Sequence, residues 1–219
     1  MRKIFLLSFD DGTVFDKRFV ELLNKLELPC TFNLNSGLED FVWEFEGKPV
    51  RRQKLAGTVE QYRGHEIASH SLHHHLLTTL DEETLRREVV EDAGNLKRIF
   101  GVEQLGFGVP FTECNEREVA VIAPHVRYIR LSEFCDSYAL PKDQYHIPIH
   151  ALFNQEDIRQ RIRDFASCEL PVSLFVMAGH SYEFEYLNQW EYMEDLLKYI
   201  KTFGFEIKTT MDFVKEFYR

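Results

Sequence analysis

Lys3-Ile4-Phe5-Leu6-Leu7-Ser8-Phe9 runs straight into Asp10-Asp11-Gly12. The first seven residues form a short, largely apolar run that suits a strand buried on both faces. It stops on two acids and a glycine. Phe15, Phe19, Leu22, Leu23 and Leu26 then recur at helical spacing. This strand-then-helix unit repeats along the chain. Cys30 to Leu34 predicts the next strand, closed by Asn35-Ser36-Gly37, and Ile67-Ala68-Ser69 a short one. Between them, residues 38–62 carry Trp43, Phe45 and Arg51-Arg52 and read as an insertion or long loop. Thr79-Leu80-Asp81-Glu82 fits a capping box that opens a helix with Leu85, Val89, Ala93, Leu96 and Phe100 on its apolar face. Gly101 stops that helix.

Further strands are expected near Leu105–Phe107, at Val126–Leu131, at the most apolar run Val172–Ala178, and at Phe205–Lys208. Asn154 is placed to cap a helix carrying Ile158, Ile162 and Phe165. Leu196, Leu197 and Ile200 mark another helix, and Phe213–Phe217 the last. Such alternation predicts an α/β fold of parallel strands joined by helical crossovers. A closed barrel and an open doubly wound sheet both fit. In either, function gathers at the C-terminal ends of the strands.

The 219 residues suit one domain, 1–219, large enough to bury its core without disulfides. Hydrophobic residues make up 44% and charged residues 28%, a soluble globular balance. The net charge of -10, with no Lys/Arg-rich run, argues against nucleic acid and disfavours a polyanionic substrate. Ile4-Phe5-Leu6-Leu7 is too short for a signal-peptide core, and no stretch approaches a membrane span. With Met1 as the native start, a cytoplasmic protein is expected. Cys30, Cys114, Cys135 and Cys168 are widely spaced, without a CxxC pair, and read as reduced residues rather than a zinc knot.

Three clusters carry chemistry. Asp10-Asp11-Gly12 leaves its strand at a glycine, which lets two neighbouring carboxylates turn toward one site. One can then hold a metal and the other move protons. An Asp-Gly turn is the plain alternative. In His70-Ser71-Leu72-His73-His74-His75, His70 and His74 are four apart, so a helical turn or compact loop brings their rings to one side. Two imidazoles and a carboxylate make a three-ligand site with room for water, as in catalytic zinc centres. His73 and His75 point elsewhere in that geometry and are not expected to be ligands. Gly179-His180 ends the apolar strand and places a histidine where a general acid could work.

The clusters also resemble a known family, the polysaccharide deacetylases of the NodB-homology type, carbohydrate esterase family 4. Leu7-Ser8-Phe9-Asp10-Asp11-Gly12 is similar to the family's first motif, commonly T-F-D-D-G. His70-Ser71-Leu72-His73-His74 matches the second, H-S/T-x-x-H. Gly108-Val109-Pro110-Phe111 stands where R-x-P-Y/F is expected, and His180 fits the last motif. Gly179-His180-Ser181-Tyr182-Glu183-Phe184 resembles a subgroup with G-H-S-Y-E-F. The resemblance implies a distorted (β/α) barrel with about seven parallel strands. It implies a divalent metal, zinc before Co²⁺, Ni²⁺ or Mn²⁺, held by Asp11, His70 and His74. Asp10 would be the general base, His180 would protonate the leaving amine, and the Phe111 backbone N–H would help hold the oxyanion.

Two departures stand out. Gly108 replaces the arginine that orients the base in the family. The fourth motif, D-x-x-D-W, has no clean match, although Glu133 and Asp136 lie nearby in the chain. Arg130 ends the strand Val126–Leu131 and could supply the missing charge; a surface arginine is the alternative. The expected substrate is an N-acetylated amino sugar or oligosaccharide. Tyr182, Phe184, Tyr186, Trp190, Trp43 and Phe45 are candidates to flank it, with Phe184 or Trp190 also suited to the core. Rival readings are a related amidohydrolase that opens a cyclic ureide or imide, and a non-catalytic carbohydrate-binding relative.

Overall fold

In the computed structural model, which describes residues 1–218, the opening apolar run is β1 (Arg2–Asp10). It is followed by α1 (Asp16–Lys25), β2 (Thr31–Leu34) and a hairpin of β3 (Val42–Phe45) and β4 (Lys48–Arg51). Next come β5 (Glu66–Ser69), α2 (Glu82–Phe100), β6 (Phe107–Gly108), α3 (Glu116–Ile122) and β7 (Ile129–Phe134). The chain ends through β8 (Ile147–Ile149), β9 (Ala151–Leu152), α4 (Ile158–Ser167), β10 (Val172–His180), α5 (Ser181–Tyr186), α6 (Trp190–Thr202), β11 (Glu206–Lys208) and α7 (Thr210–Phe217).

Apart from the β3–β4 hairpin, the strands form one parallel sheet in the order β8-β7-β6-β5-β2-β1-β10-β9, with β11 also on β1. β1 shares one edge between two partners: β11 pairs with Ile4–Leu6, and β2 with Ser8–Asp10. β8 and β9 stand at opposite ends of that order, yet only His150 separates them in the chain. The two edges therefore meet, and the sheet closes as a distorted barrel. It has nine strands among the described residues rather than about seven, because β8 and β9, of three and two residues, are too short to leave a pattern.

Period two along β1 sorts its side chains. Phe5, Leu7 and Phe9 pack outward with Phe19, Leu23, Phe165 and Leu196 of the helices. Ile4 and Leu6 pack inward with Tyr128, Val176 and Phe213. Ser8 and Asp10 continue the inward row, so an acid ends the interior face of the central strand.

Three local expectations shift. α2 is capped by Asp81, whose carboxylate accepts from Thr84 N–H at 2.7 Å, and not by Thr79. Thr79 ends a short 3-10 turn and bonds back to the Leu76 carbonyl. Asn154 does not cap α4, which begins after Asp157. Residues 38–62 hold the β3–β4 hairpin in place of a plain loop. No helix among the described residues is long and apolar enough to cross a membrane.

Candidate active site

At the C-terminal end of β1, Asp10 pairs in register with His180 of β10 and with Asn33 of β2. Asp11, next in the chain, would face away from the interior. Its backbone instead takes φ 87°, and Gly12 follows at 65°. The chain thus reverses out of the strand, and both carboxylates reach one cavity of about 540 Å³. Such a φ is uncommon without glycine and costs on the order of 1–3 kcal/mol. Among the described residues, four of the eight non-glycine residues with positive φ, Asp11, Ser71, His74 and Phe111, sit in or beside this cavity, so strain is concentrated there.

His70 follows β5 and is buried. Its Nδ1–H donates to the Gly108 carbonyl at 2.7 Å, which leaves the Nε2 lone pair turned to the acids. Nε2 lies 3.9 Å from Asp11 Oδ1 and 4.0 Å from Asp10 Oδ2. His74 turns inward through its own positive φ and brings Nε2 to 3.4 Å from Asp11 Oδ1. Burial pulls the His70 imidazole down to about 3 and lowers His74 as well, against the pull of the acids. Both rings are therefore neutral at pH 7, the form a metal requires. Asp11, His70 and His74 each offer one ligating atom, all within 4.8 Å of one another. Two neutral imidazoles and a carboxylate suit zinc.

Asp10 is held from one side only. Its Oδ1 accepts from Arg130 Nη2 at 2.5 Å and from Asn33 Nδ2 at 2.6 Å, and Oδ2 is left toward the histidines. Burial favours the protonated Asp10, but the Arg130 guanidinium, with His70 and His180, more than offsets it and keeps the carboxyl below its usual range. On the other flank, His180 Nδ1 meets Glu183 Oε1 at 3.3 Å, and its Nε2 stands 3.9 Å from Asp11 Oδ2. Burial would lower this imidazole; Glu183 and the two aspartates instead raise it to about 9. The Phe111 N–H makes no hydrogen bond to protein among the described residues, and the Phe111 ring packs edge-on against His74 with centroids 4.6 Å apart.

A family model described as polysaccharide deacetylase matches residues 1–125, more than half of the chain. The chain belongs to the polysaccharide deacetylase family. No curated protein sequence matches it. Among solved structures, it is similar to the Xyl-CE4 domain of a multidomain xylanase from the hindgut metagenome of Trinervitermes trinervoides, at TM-score 0.65 and 18% identity over 99% of this chain and 91% of that one. The chitin deacetylase of the fungal pathogen Colletotrichum lindemuthianum gives 0.67 at 15% identity, over 97% and 88%. A family 4 carbohydrate esterase from Bacillus anthracis gives 0.63 at 18%, over 98% and 83%. At these identities the likeness is one of fold.

Within this polysaccharide deacetylase family member, the two departures have local explanations. A side-chain carbon at Gly108 would lie 2.6 Å from Arg130 Nη2 and 2.6 Å from Asn33 Cγ. The bare glycine leaves room for a guanidinium that arrives from the next strand, β7, where Gly108 pairs with Arg130. Neither acid near the expected fourth motif reaches the cavity: Glu133 is exposed, and Asp136 pairs with Arg161 at 3.0 Å. The acid beside His180 is instead Glu183, three residues along the same chain segment.

Arg52 is a site residue that its surface-like sequence context, Arg51-Arg52 in an insertion, concealed. It is 5% exposed and donates to Asp11 Oδ1 at 2.8 Å and to the Asp11 carbonyl at 2.5 Å. It also donates to Asn35 Oδ1, and Asn35 Nδ2 in turn bonds the carbonyls of His70 and Ser71. One guanidinium thus ties the loop after β1 to the loop after β5, under the Trp43 ring at 5.0 Å. Of the aromatics singled out by sequence, Trp43 and Tyr182 line the cavity, and Phe45 packs on Tyr182. Phe184 is fully buried in the core, Trp190 packs against Phe184 and Arg18, and Tyr186 bonds the Pro49 carbonyl. Leu38, Phe41 and Phe134 complete the apolar wall. They lacked any motif that could flag them.

Proposed function

We propose that this chain is a metal-dependent hydrolase that removes an N-acetyl group from an amino sugar or oligosaccharide, with zinc the best-fitting ion. The observation that carries the reading is the two-sided use of the adjacent acids: Asp11 turned to His70 and His74, Asp10 turned to Arg130 and Asn33.

A divalent ion held by Asp11, His70 and His74 would polarise the amide carbonyl and acidify water. The rest falls to side chains. Asp10 has Oδ1 fixed by two donors, so Oδ2 is its free oxygen and accepts the proton of the attacking water. His180, protonated at neutral pH and held by Glu183, delivers a proton to the leaving amine. The Phe111 N–H is available to the carbonyl oxygen as negative charge develops there.

The cavity wall favours an uncharged substrate. Leu38, Phe41, Trp43, Phe111, Phe134 and Tyr182 supply apolar and aromatic faces on which a sugar ring can stack. Its two arginines, Arg52 and Arg130, are already paired with Asp11 and Asp10, so among the described lining residues no free guanidinium or ammonium awaits a phosphate. The test is acetate release from a panel of neutral and phosphorylated N-acetylated sugars by the zinc-loaded protein. Neutral members should be the substrates; release from the phosphorylated members alone would overturn the assignment.

A further inference from the structure

The histidine run of residues 70–75 faces two ways. His70 and His74 turn to the cavity, whereas His73, which borders the cavity, and His75 turn their ring nitrogens toward Glu88 of α2. Glu88 is 1% exposed, and a buried carboxylate needs partners. Its Oε2 accepts the His73 backbone N–H at 2.7 Å; its Oε1 lies 2.7 Å from His73 Nδ1 and 4.0 Å from His75 Nε2. The three donor atoms all lie within 4.8 Å of one another.

We infer that His73, His75 and Glu88 form a second divalent-metal site, with donors separate from those of the first. The set is again two imidazoles and a carboxylate, which suits zinc or a neighbouring transition metal. Bonds of about 2.0–2.1 Å place tetrahedral ligands about 3.3 Å apart, so the half-exposed His75 ring needs to swing in by roughly 1 Å and the His73–Glu88 pair to open by roughly half that. With its single proton on the half-exposed Nε2, the neutral His73 ring offers the Nδ1 lone pair to the ion beside Glu88 Oε1. Because both histidines belong to the loop that supplies His70 and His74, an ion here pins that loop to α2.

The experiment is equilibrium dialysis of the metal-free protein against zinc, with metal counted per chain, beside thermal unfolding at each zinc level. His75 is the clean position to change: its side chain is about half exposed and makes no hydrogen bond among the described residues. The wild type should take up a second equivalent that raises its melting temperature further. His75→Ala should lose that equivalent and that rise while keeping the first. Glu88→Gln should lose it too. Saturation of the wild type at one ion that Asp11→Asn abolishes would overturn the inference, as would a second equivalent that survives in His75→Ala. An ion lost in His75→Ala but retained in Asp11→Asn would support this site and overturn the assignment of the first instead.

Discussion

Arg130 Nη2 lies 2.5 Å from Asp10 Oδ1, in space that Gly108 leaves free by having no side chain. The two groups that hold Asp10, Arg130 and Asn33, are the two that an added carbon at position 108 would strike. Gly108→Ala should therefore cost about 1–3 kcal/mol of stability through overpacking and also misplace Asp10, the proposed base. Arg130→Ala should lower kcat by about 10²-fold, the scale of a 1 Å misplacement, and cost about 3–5 kcal/mol by stranding a buried acid. Denaturant unfolding beside turnover checks both. Full activity in Arg130→Ala would show that Asp10 needs no orienting charge.

Arg52 pairs with the carboxylate that the proposed metal would use. Without the ion, Arg52 is the cation that compensates buried Asp11. Arg52→Ala should destabilise the metal-free protein by about 3–5 kcal/mol. Zinc should then raise the melting temperature more in the variant than in the wild type, since the ion replaces the missing charge. Melting curves with chelator and with zinc test this. An equal or smaller zinc-induced rise in the variant would contradict it.

The acid role proposed for His180 has a pH signature. The raised imidazole, at about 9, is protonated at neutral pH and loses its proton as pH rises. A cation on Asp11 pulls that value down, so kcat should fall on the alkaline side at or below about pH 9. His180→Ala should be slower by about 10²–10⁴-fold and lack that fall. An unchanged alkaline limb in the variant would assign the limb to another group.

Asp92 on α2 supports the second motif from behind: Oδ1 accepts from Ser36 N–H at 2.7 Å and Oδ2 from Ser69 Oγ at 2.6 Å. Burial raises its carboxyl to about 7, although both serines oppose the shift. The folded-state value exceeds the unfolded one, so this contribution to stability is complete below about pH 4 and is lost as pH rises through about 7. Asp92→Asn keeps both bonds, with Ser69 Oγ accepting from the new amide. Its stability relative to wild type should improve from pH 4 to pH 8, by on the order of 1–4 kcal/mol. Asp16 and Glu66, also raised to about 7, are present in both proteins and cancel. Parallel stability curves for the two proteins would contradict the prediction.

Elements with long periodic patterns were legible in sequence: β1, β10, α2 and α6 fall where apolar spacing puts them. The short strands β8 and β9 were not, because pairing with neighbours defines them rather than any period of their own. The motif acids and histidines could be placed because each sits at a strand end. Arg130 could be suspected from its position on β7. Arg52 could not, since its burial depends on the β3–β4 hairpin folding over the first motif, a long-range event that local sequence does not encode. For the same reason, Glu183 as the partner of His180 emerged only with α5 in place.

The central claim is a division of labour between Asp10 and Asp11, and turnover measured beside metal content tests it most directly. Zinc-loaded wild type, Asp10→Asn and Asp11→Asn would be compared on a neutral N-acetylated sugar oligomer. Asn preserves size but cannot take a proton from water at neutral pH. Asp10→Asn should keep its metal and lose about 10²–10⁴-fold in rate, whereas Asp11→Asn should lose metal and activity together. Metal lost from Asp10→Asn and kept in Asp11→Asn would reverse the two roles, and full activity in both variants would contradict the mechanism.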